Sequence, residues 1–247
     1  MLNLYDNFDD TRAQNGIGSQ LNVFDETLGK YVILIPLETV PSIVGSTNTV
    51  DVDLLTSKVI TKIRGKQTID DKDTEFLWHK DNIYRLSQYV GKQCKFLASY
   101  PDGTGIMFEG TIDFKPDDAT SDKLTGTVTI IANKLITEPI YDVRPLMAKT
   151  CFITSNVPND VSISIPKESA NATATLDLVS SISSATFTAT SDTSTITCKV
   201  DTATNDKPAK LTITATSTCS GVVKITASSA GYGSWTTLVT VIAEKLA

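Results

Sequence analysis

Histidine is nearly absent: His79 is the single one in 247 residues. Any reaction that runs through an imidazole has that residue alone to use. It sits in Thr74–Lys80 (TEFLWHK), where Phe76 and Trp78 alternate against Glu75, Leu77 and His79. That pattern is a strand histidine on the less apolar face, not a catalytic base. Cysteine is sparse too. Cys94, Cys151, Cys198 and Cys219 are spaced by 57, 47 and 21 residues, which matches no zinc pattern. They read as separate reduced thiols, and no metal is expected. Long apolar runs are missing: the most apolar window, Tyr31–Leu37 (YVILIPL), is far too short to span a bilayer. The opening MLNLYDNFDD is acidic where an export signal is basic, and no apolar stretch follows it. The chain is therefore expected to be made in the cytoplasm, without membrane insertion. Positive charge is in deficit, with 22 Lys+Arg against 28 Asp+Glu, a net charge of −6. Such a chain does not grip DNA by its overall field. The densest basic run, Lys58, Lys62, Arg64 and Lys66, is followed at once by Asp70, Asp71 and Asp73.

Other chemical signatures fail on their context. Glu109 and Asp113 share a strand face with Thr111 between them, the look of a solvated strand and not of a hydrolase carboxylate pair. Asn15–Gln20 (NGIGSQ) holds a Gly-x-Gly, but no strong strand precedes it and no helix follows. It reads as a flexible N-terminal segment. Asn171-Ala172-Thr173 is a glycosylation sequon that lacks an export signal to give it meaning. Lys115–Lys123 (KPDDATSDK) lacks the ligand spacing and terminal Glu of a calcium loop and reads as a solvated tip that can reach a neighbouring subunit. Neither an enzyme nor a cofactor is expected.

What the chain does have is β-pattern in two halves of different character. Residues 1–149 carry 16 Lys+Arg and 21 Asp+Glu, whereas residues 150–247 carry 6 and 7 and are about one third Ser and Thr. We place a domain boundary at about residue 150, giving domains 1–150 and 151–247. In the second domain, apolar residues alternate at Val161/Ile163/Ile165, Leu176/Leu178, Ala185/Phe187/Ala189, Ile196/Cys198/Val200, Leu211/Ile213/Ala215, Val223/Ile225/Ala227 and Val239/Val241/Ala243. Turn-prone residues separate them, among them Asn171, Ser191-Asp192, Asn205–Pro208, Ser220-Gly221 and Gly231–Gly233. Seven short strands in under 100 residues predict an immunoglobulin-like β-sandwich. Cys198 is expected to point inward and Cys219 to fall in a turn, so the disulfide of antibody domains is not expected.

The first domain is also mainly β, with strands expected at 31–37, 50–64, 73–79, 94–100, 105–115 and 124–132. One helix interrupts them at Asp81–Lys92 (DNIYRLSQYVGK), with Asp81 as cap, Ile83, Leu86 and Val90 as apolar stripe, and Gly91 as left-handed stop. Pro101, Asp102 and Gly103 make a tight hairpin turn. After it, Ile106, Phe108, Gly110, Ile112 and Phe114 alternate with Met107, Glu109, Thr111 and Asp113. The expected fold is a sandwich or partial barrel with one short helix. Long regular strands with open edges need a partner, which points to assembly.

Three pieces in fixed order carry a resemblance. They are KIRGKQTIDDKDTEF, the helix DNIYRLSQYVGK, and the hairpin FLASYPDGTGIMFEGTI with its Thr-rich follower KLTGTVTIIANK. Together they resemble the major tail tube protein of long-tailed, siphovirus-like bacteriophages over about residues 55–134. The segment SGVVKITASSAGYGSWTTLVTVIAE resembles the last strands of bacterial immunoglobulin-like modules. The resemblance implies a structural virion protein whose hexameric rings stack into a hollow tube. It implies a lumen that holds the tape measure protein during assembly and later conducts DNA, with genome ejection into the host cell, and no sequence-specific binding. The second domain would decorate the outside and be free to touch a cell surface. The candidate lumen residues are Glu109, Thr111, Asp113, Thr125, Thr127 and Thr129. The candidate contacts between rings are Leu37, Glu38, Val40, Ile43, Val44 and Asn48 in a long loop at 38–50. The N-terminal segment 1–20 and the connector 135–150 are further candidates. The alternatives are the tube subunit of a contractile tail or tail-like bacteriocin, and a bacterial surface-binding β-domain protein.

Overall fold

The computed structural model describes residues 18–41, 43, 46–52, 61–118, 123–135, 139–202 and 208–246. The chain divides into two units. One takes in the chain up to Phe24, Ile33–Asn82 and Leu86–Met147. The other takes in Asp25–Val32, Ile83–Arg85 and Ala148–Ala247.

Alternation in the first half produces β1 (Gln20–Asp25), β2 (Lys30–Ile33), β3 (Ser46–Val52), β4 (Thr61–Thr68), β5 (Lys72–Leu77), β6 (Cys94–Ser99), β7 (Gly105–Pro116) and β8 (Thr125–Leu135). The helix α1 spans Lys80–Ser87. Six strands join in one sheet in the order β2-β1-β6-β7-β8-β5, and β3 pairs with β4 in a separate two-stranded sheet. The pairs β1–β6, β6–β7, β7–β8 and β8–β5 are antiparallel. One sheet face is apolar: Phe76, Phe96, Phe108, Ile112, Val128 and Ile130 are buried there. Each large side chain fully withdrawn from water contributes about 1.5–3 kcal/mol. Phe96 stacks on Phe108 with ring centroids 5.3 Å apart. Phe76, Trp78 and Phe114 form a second cluster with centroids 5.7–6.4 Å apart. That cluster lies over Gly126. A Cβ there would stand 2.4 Å from Trp78 Cε3 and 2.8 Å from the Lys115 carbonyl oxygen.

Several boundaries differ from the sequence expectation. The strand expected at 31–37 stops at Ile33; Pro36 has no N–H to continue a ladder. Leu34 and Ile35 are nonetheless buried. The strand expected at 50–64 is two strands, β3 and β4, paired antiparallel with Val52 opposite Thr61. Residues 53–60 contain neither glycine nor proline to announce the reversal. β3 also takes the end of the loop expected at 38–50. The segment Asn15–Gln20, expected to be flexible, reaches into β1 at Gln20; residues 1–17 lie outside the described residues. The helix is shorter than 81–92. Asp81 sits in its first turn and not at its cap, and its N–H donates to His79 Nδ1 at 3.4 Å. Leu86 is buried, Ile83 is half-buried, and Val90 lies exposed beyond the helix. Gly91 does take a positive φ of 69°.

The second half folds into seven strands: β9 (Asp160–Ile165), β10 (Ala172–Leu178), β11 (Thr186–Ser191), β12 (Ile196–Asp201), β13 (Ala209–Ala215), β14 (Cys219–Ser228) and β15 (Trp235–Lys245). They form a three-stranded sheet, β10-β13-β12, and a four-stranded sheet, β11-β14-β15-β9. β9 runs parallel to β15 and every other pair is antiparallel. The core comes from the inward positions of both sheets, including Ile163, Leu211, Ile213, Val223, Ile225 and Val241. This is a β-sandwich, and each of the seven expected strands is present. Two details are corrected. Cys219 opens β14 and is not in a turn, and Ser220-Gly221 lies inside that strand. The Asn205–Lys207 part of one expected turn lies outside the described residues.

Candidate functional site: a polar sheet face

The register brings the candidate lumen residues together. Asp113 lies opposite Thr129, and Thr111 opposite Ile131. Thr129 lies opposite Asp73, Thr127 opposite Glu75, and Thr125 opposite Leu77. Directly opposed residues share a face, so Glu109, Thr111, Asp113, Thr125, Thr127 and Thr129 all occupy the sheet face opposite the phenylalanine core. Asp73 and Glu75 join them from β5, and Lys95 joins opposite Glu109 from β6. Sequence reading missed Asp73 and Glu75 here: their alternation with Thr74 and Phe76 puts the two on one face of β5, and only the pairing of β5 with β8 adds them to this set. Thr125 is buried to 9% exposure and offers little surface, while Asp113 is exposed and Glu109, Thr111, Thr127 and Thr129 are half-buried.

Carboxylates on this face are held by hydroxyls. Thr129 Oγ1 donates to Asp73 at 2.7 Å, and Thr127 Oγ1 donates to Asp117 at 2.6 Å. Lys134 Nζ lies 3.9 Å from Glu109. Exposed pairs of this kind contribute about 0–1 kcal/mol each; they order the surface and add little to stability. A shallow cleft opens beside them, lined by Glu38, Thr39, Asp73, Glu75, Asp117 and Thr127 among others. Among the described residues, no group of three or more His, Cys, Asp or Glu side chains is placed to hold a metal ion. No helix among them is long and apolar enough to cross a membrane.

The turn that leads into β7 has the expected chemistry. Gly103 N–H donates to the Tyr100 carbonyl at 3.0 Å across Pro101 and Asp102, and Tyr100 N–H donates to the Thr104 carbonyl at 2.9 Å. Gly103 has φ +92°, a conformation glycine takes without a Cβ penalty. The result is a β-turn closed by a bulge. Asp102 Oδ1 accepts both the N–H (2.9 Å) and the hydroxyl (2.8 Å) of Thr104. Those bonds hold the Asp102 carboxyl below its ordinary range. Burial, and then the Asp102 charge, push the Tyr100 phenol up. The 139–147 segment runs along this turn: Val143 N–H donates to the Gly103 carbonyl at 2.8 Å. Arg144 forks onto Asp142 at 2.7 and 3.2 Å, which lowers the Asp142 pKa and raises that of Arg144.

The candidate ring-contact residues fare differently from one another. Leu37, Glu38 and Val40 lie in the irregular stretch after β2, with Glu38 exposed and the other two half-buried. Ile43 has 0% exposure; its side chain belongs to this chain's own interior, a correction to its role as a contact. Val44 lies outside the described residues. Asn48 falls within β3. Glu38 is ion-paired with Lys123, a partner the sequence did not suggest because 85 residues separate them.

The fold and this face define a mainly β chain with a largely polar sheet face over β7, β8 and β5, interrupted by the exposed Ile131 and Leu77. No protein-family model matches the chain, and no curated protein matches it. Among solved structures it is similar to a chain described as the tail of an empty GTA particle, computed with helical refinement in C6 symmetry. The identity is 15%, the likeness covers 52% of this chain and 98% of that one, and the TM-score is 0.41. At that level it assigns neither an activity nor a partner to this chain.

Proposed function

We propose that the chain is the building block of a phage-type tail tube. Six copies form a ring, rings stack, and the polar face of β7 and β8 lines a channel through which DNA passes. The observation that carries this reading is the register itself. It gathers Glu109, Thr111, Asp113, Thr127 and Thr129 on one face of a six-stranded sheet whose other face is packed with phenylalanine. A wall element needs such a division: a dry side that fixes its shape and a wet side that water and a passing polymer can share. Sheets from several copies that close on one another remove the exposed edges of long strands, and a head-to-tail contact repeated around an axis closes a ring.

Charge fits the passage of a polyanion. A basic channel would release counterions from DNA and hold it. Here Asp73, Glu75, Glu109, Asp113 and Asp117 share the face with Lys95, Lys115 and Lys134, and threonine hydroxyls lie between, so among the described residues this face has no basic stripe. The role is structural, not enzymatic. The tape measure protein would occupy the same lumen before DNA does. The β-sandwich of the second half is read as an immunoglobulin-like module outside the tube wall. In particles assembled with Glu109→Lys plus Asp113→Lys, tubes should still form while DNA delivery to cells falls. Unchanged delivery would remove these positions from the lumen.

A further inference from the structure

β5 is the last strand of the six-stranded sheet, so one side of its backbone faces away from β8. In a strand, the N–H and C=O of a residue point to the same side, and successive residues alternate. The Glu75 carbonyl accepts the Glu38 N–H at 3.0 Å, which fixes the outward positions as Asp73, Glu75 and Leu77. An uncovered edge of this kind invites a strand from another chain. Residues 37–40 lie across it as a strap. Among the described residues its polar contacts to β5 are that one backbone bond, the Thr74 hydroxyl donating to the Thr39 carbonyl at 2.6 Å, and a 3.2 Å contact between the two threonine hydroxyls, with Leu37 and Val40 half-buried beside them. Lys123 adds to these, ion-paired to Glu38 and 3.9 Å from Glu75. All three charged side chains are well exposed, at 38–57%, so their pairing is weak. Pro36 and Pro41 bracket the strap and have no N–H, so it cannot lengthen into a paired strand. A true strand would offer a regular ladder of backbone bonds in its place.

We propose that this strap is a removable guard over the β5 edge, and that the strand which replaces it is β4 of a second copy of the chain. This deepens the tube reading and rests on it. The choice of occupant follows from charge and from edges. The outward positions of β5 include Asp73 and Glu75. β4 carries Lys62 and Arg64 two residues apart, ahead of a shift in its register with β3 between Arg64 and Gln67, and it is an end strand of the two-stranded sheet that it forms with β3 among the described residues. Leu77, at 55% exposure, adds an apolar residue at the end of the same edge. The guard keeps newly made copies apart until a growing ring draws the strap away.

The test locks the strap. The full chain with Thr39→Cys and Thr74→Cys is compared with wild type and with Thr39→Cys alone, by sedimentation over a concentration series, oxidised and then reduced. Circular dichroism checks that each is folded. The oxidised double variant should lose assembly, and reductant should restore it. Lys123→Ala should lower the concentration at which assembly begins by about two- to five-fold, the weight of an exposed ion pair. Glu75→Lys and Arg64→Glu should each assemble poorly alone, and an equal mixture of the two should assemble, because alternating copies put opposite charges at every contact. If the oxidised double variant assembles as well as the reduced one while wild type assembles, the guard is refuted and the tube reading stands. If mixing gives no rescue, β4 of a second copy is not the occupant; a β4–β5 hairpin within one chain gives that result. If wild type never assembles, the tube reading fails and this inference with it.

Discussion

Gly126→Ala probes the floor of the aromatic cluster that shapes the apolar side of the proposed wall. The added Cβ would lie 2.4 Å from Trp78 Cε3, 2.8 Å from Phe76 Cε1 and 2.8 Å from the Lys115 carbonyl oxygen. Carbon pairs are at their best near ~3.5–4.0 Å, so all three neighbours must move. Two are rings already packed against each other and against Phe114; the third is backbone of the adjacent strand. Over-packing of a filled core costs about 1–3 kcal/mol. Replacing glycine by alanine returns about 0.4–1 kcal/mol by restricting the unfolded chain. The net expectation is a loss of about 1–2 kcal/mol. Urea unfolding followed by far-ultraviolet circular dichroism, a signal that every variant here retains, should show a lower midpoint with an unchanged slope. Repeating the substitution in a Trp78→Leu background should roughly halve the loss, because the nearest obstacle is gone while Phe76 and the Lys115 carbonyl remain. An unchanged or raised midpoint, or an identical loss in both backgrounds, would refute this packing argument.

Two further expectations concern titratable groups. Asp102 has a lowered pKa because it accepts two hydrogen bonds from Thr104. Its contribution is present above the ordinary carboxylate range and is lost as pH falls through the lowered folded value. Asp102→Ala should therefore melt below wild type at neutral pH, with the gap closing below about pH 4; a gap that holds constant into acid would count against it. Cys151 is fully buried, and that burial raises its thiol pKa. Of the four cysteines it should react last with a thiol reagent in the folded protein, and all four should react alike once unfolded. Early labelling of Cys151 would contradict its placement.

The second half was legible because its period-two pattern is regular: nearly every inward position of β9 to β15 is apolar or small, and the outward ones are mostly Ser, Thr and charged residues, with Val222, Leu238 and Ile242 as exceptions. Gly221 alone misled there. It was read as a turn, but it sits inside β14 where Asp192 and Thr193 come close, and the Val222 N–H donates to Asp192 at 2.8 Å. In the first half β1 escaped notice because only Leu21 and Val23 mark its apolar phase and Phe24 falls in the other one. Asn22 is fully buried and donates to the Leu97 carbonyl and to Ser99 Oγ, partners that no local window contains. The polar face of β7 and β8 was legible as a set, since alternation alone assigns its members. That Asp73 and Glu75 complete it depends on β5 joining β8, a long-range pairing that local pattern does not encode. The same holds for Glu38 and Lys123, whose contact exists only once β5 and β8 are side by side.

The central claim is that copies of this chain close into hollow rings. Negative-stain electron microscopy of concentrated purified protein tests it most directly. The account predicts rings or stacked tubes with a central hole and sixfold symmetry. Single particles at every concentration, with no ring and no tube, would contradict it.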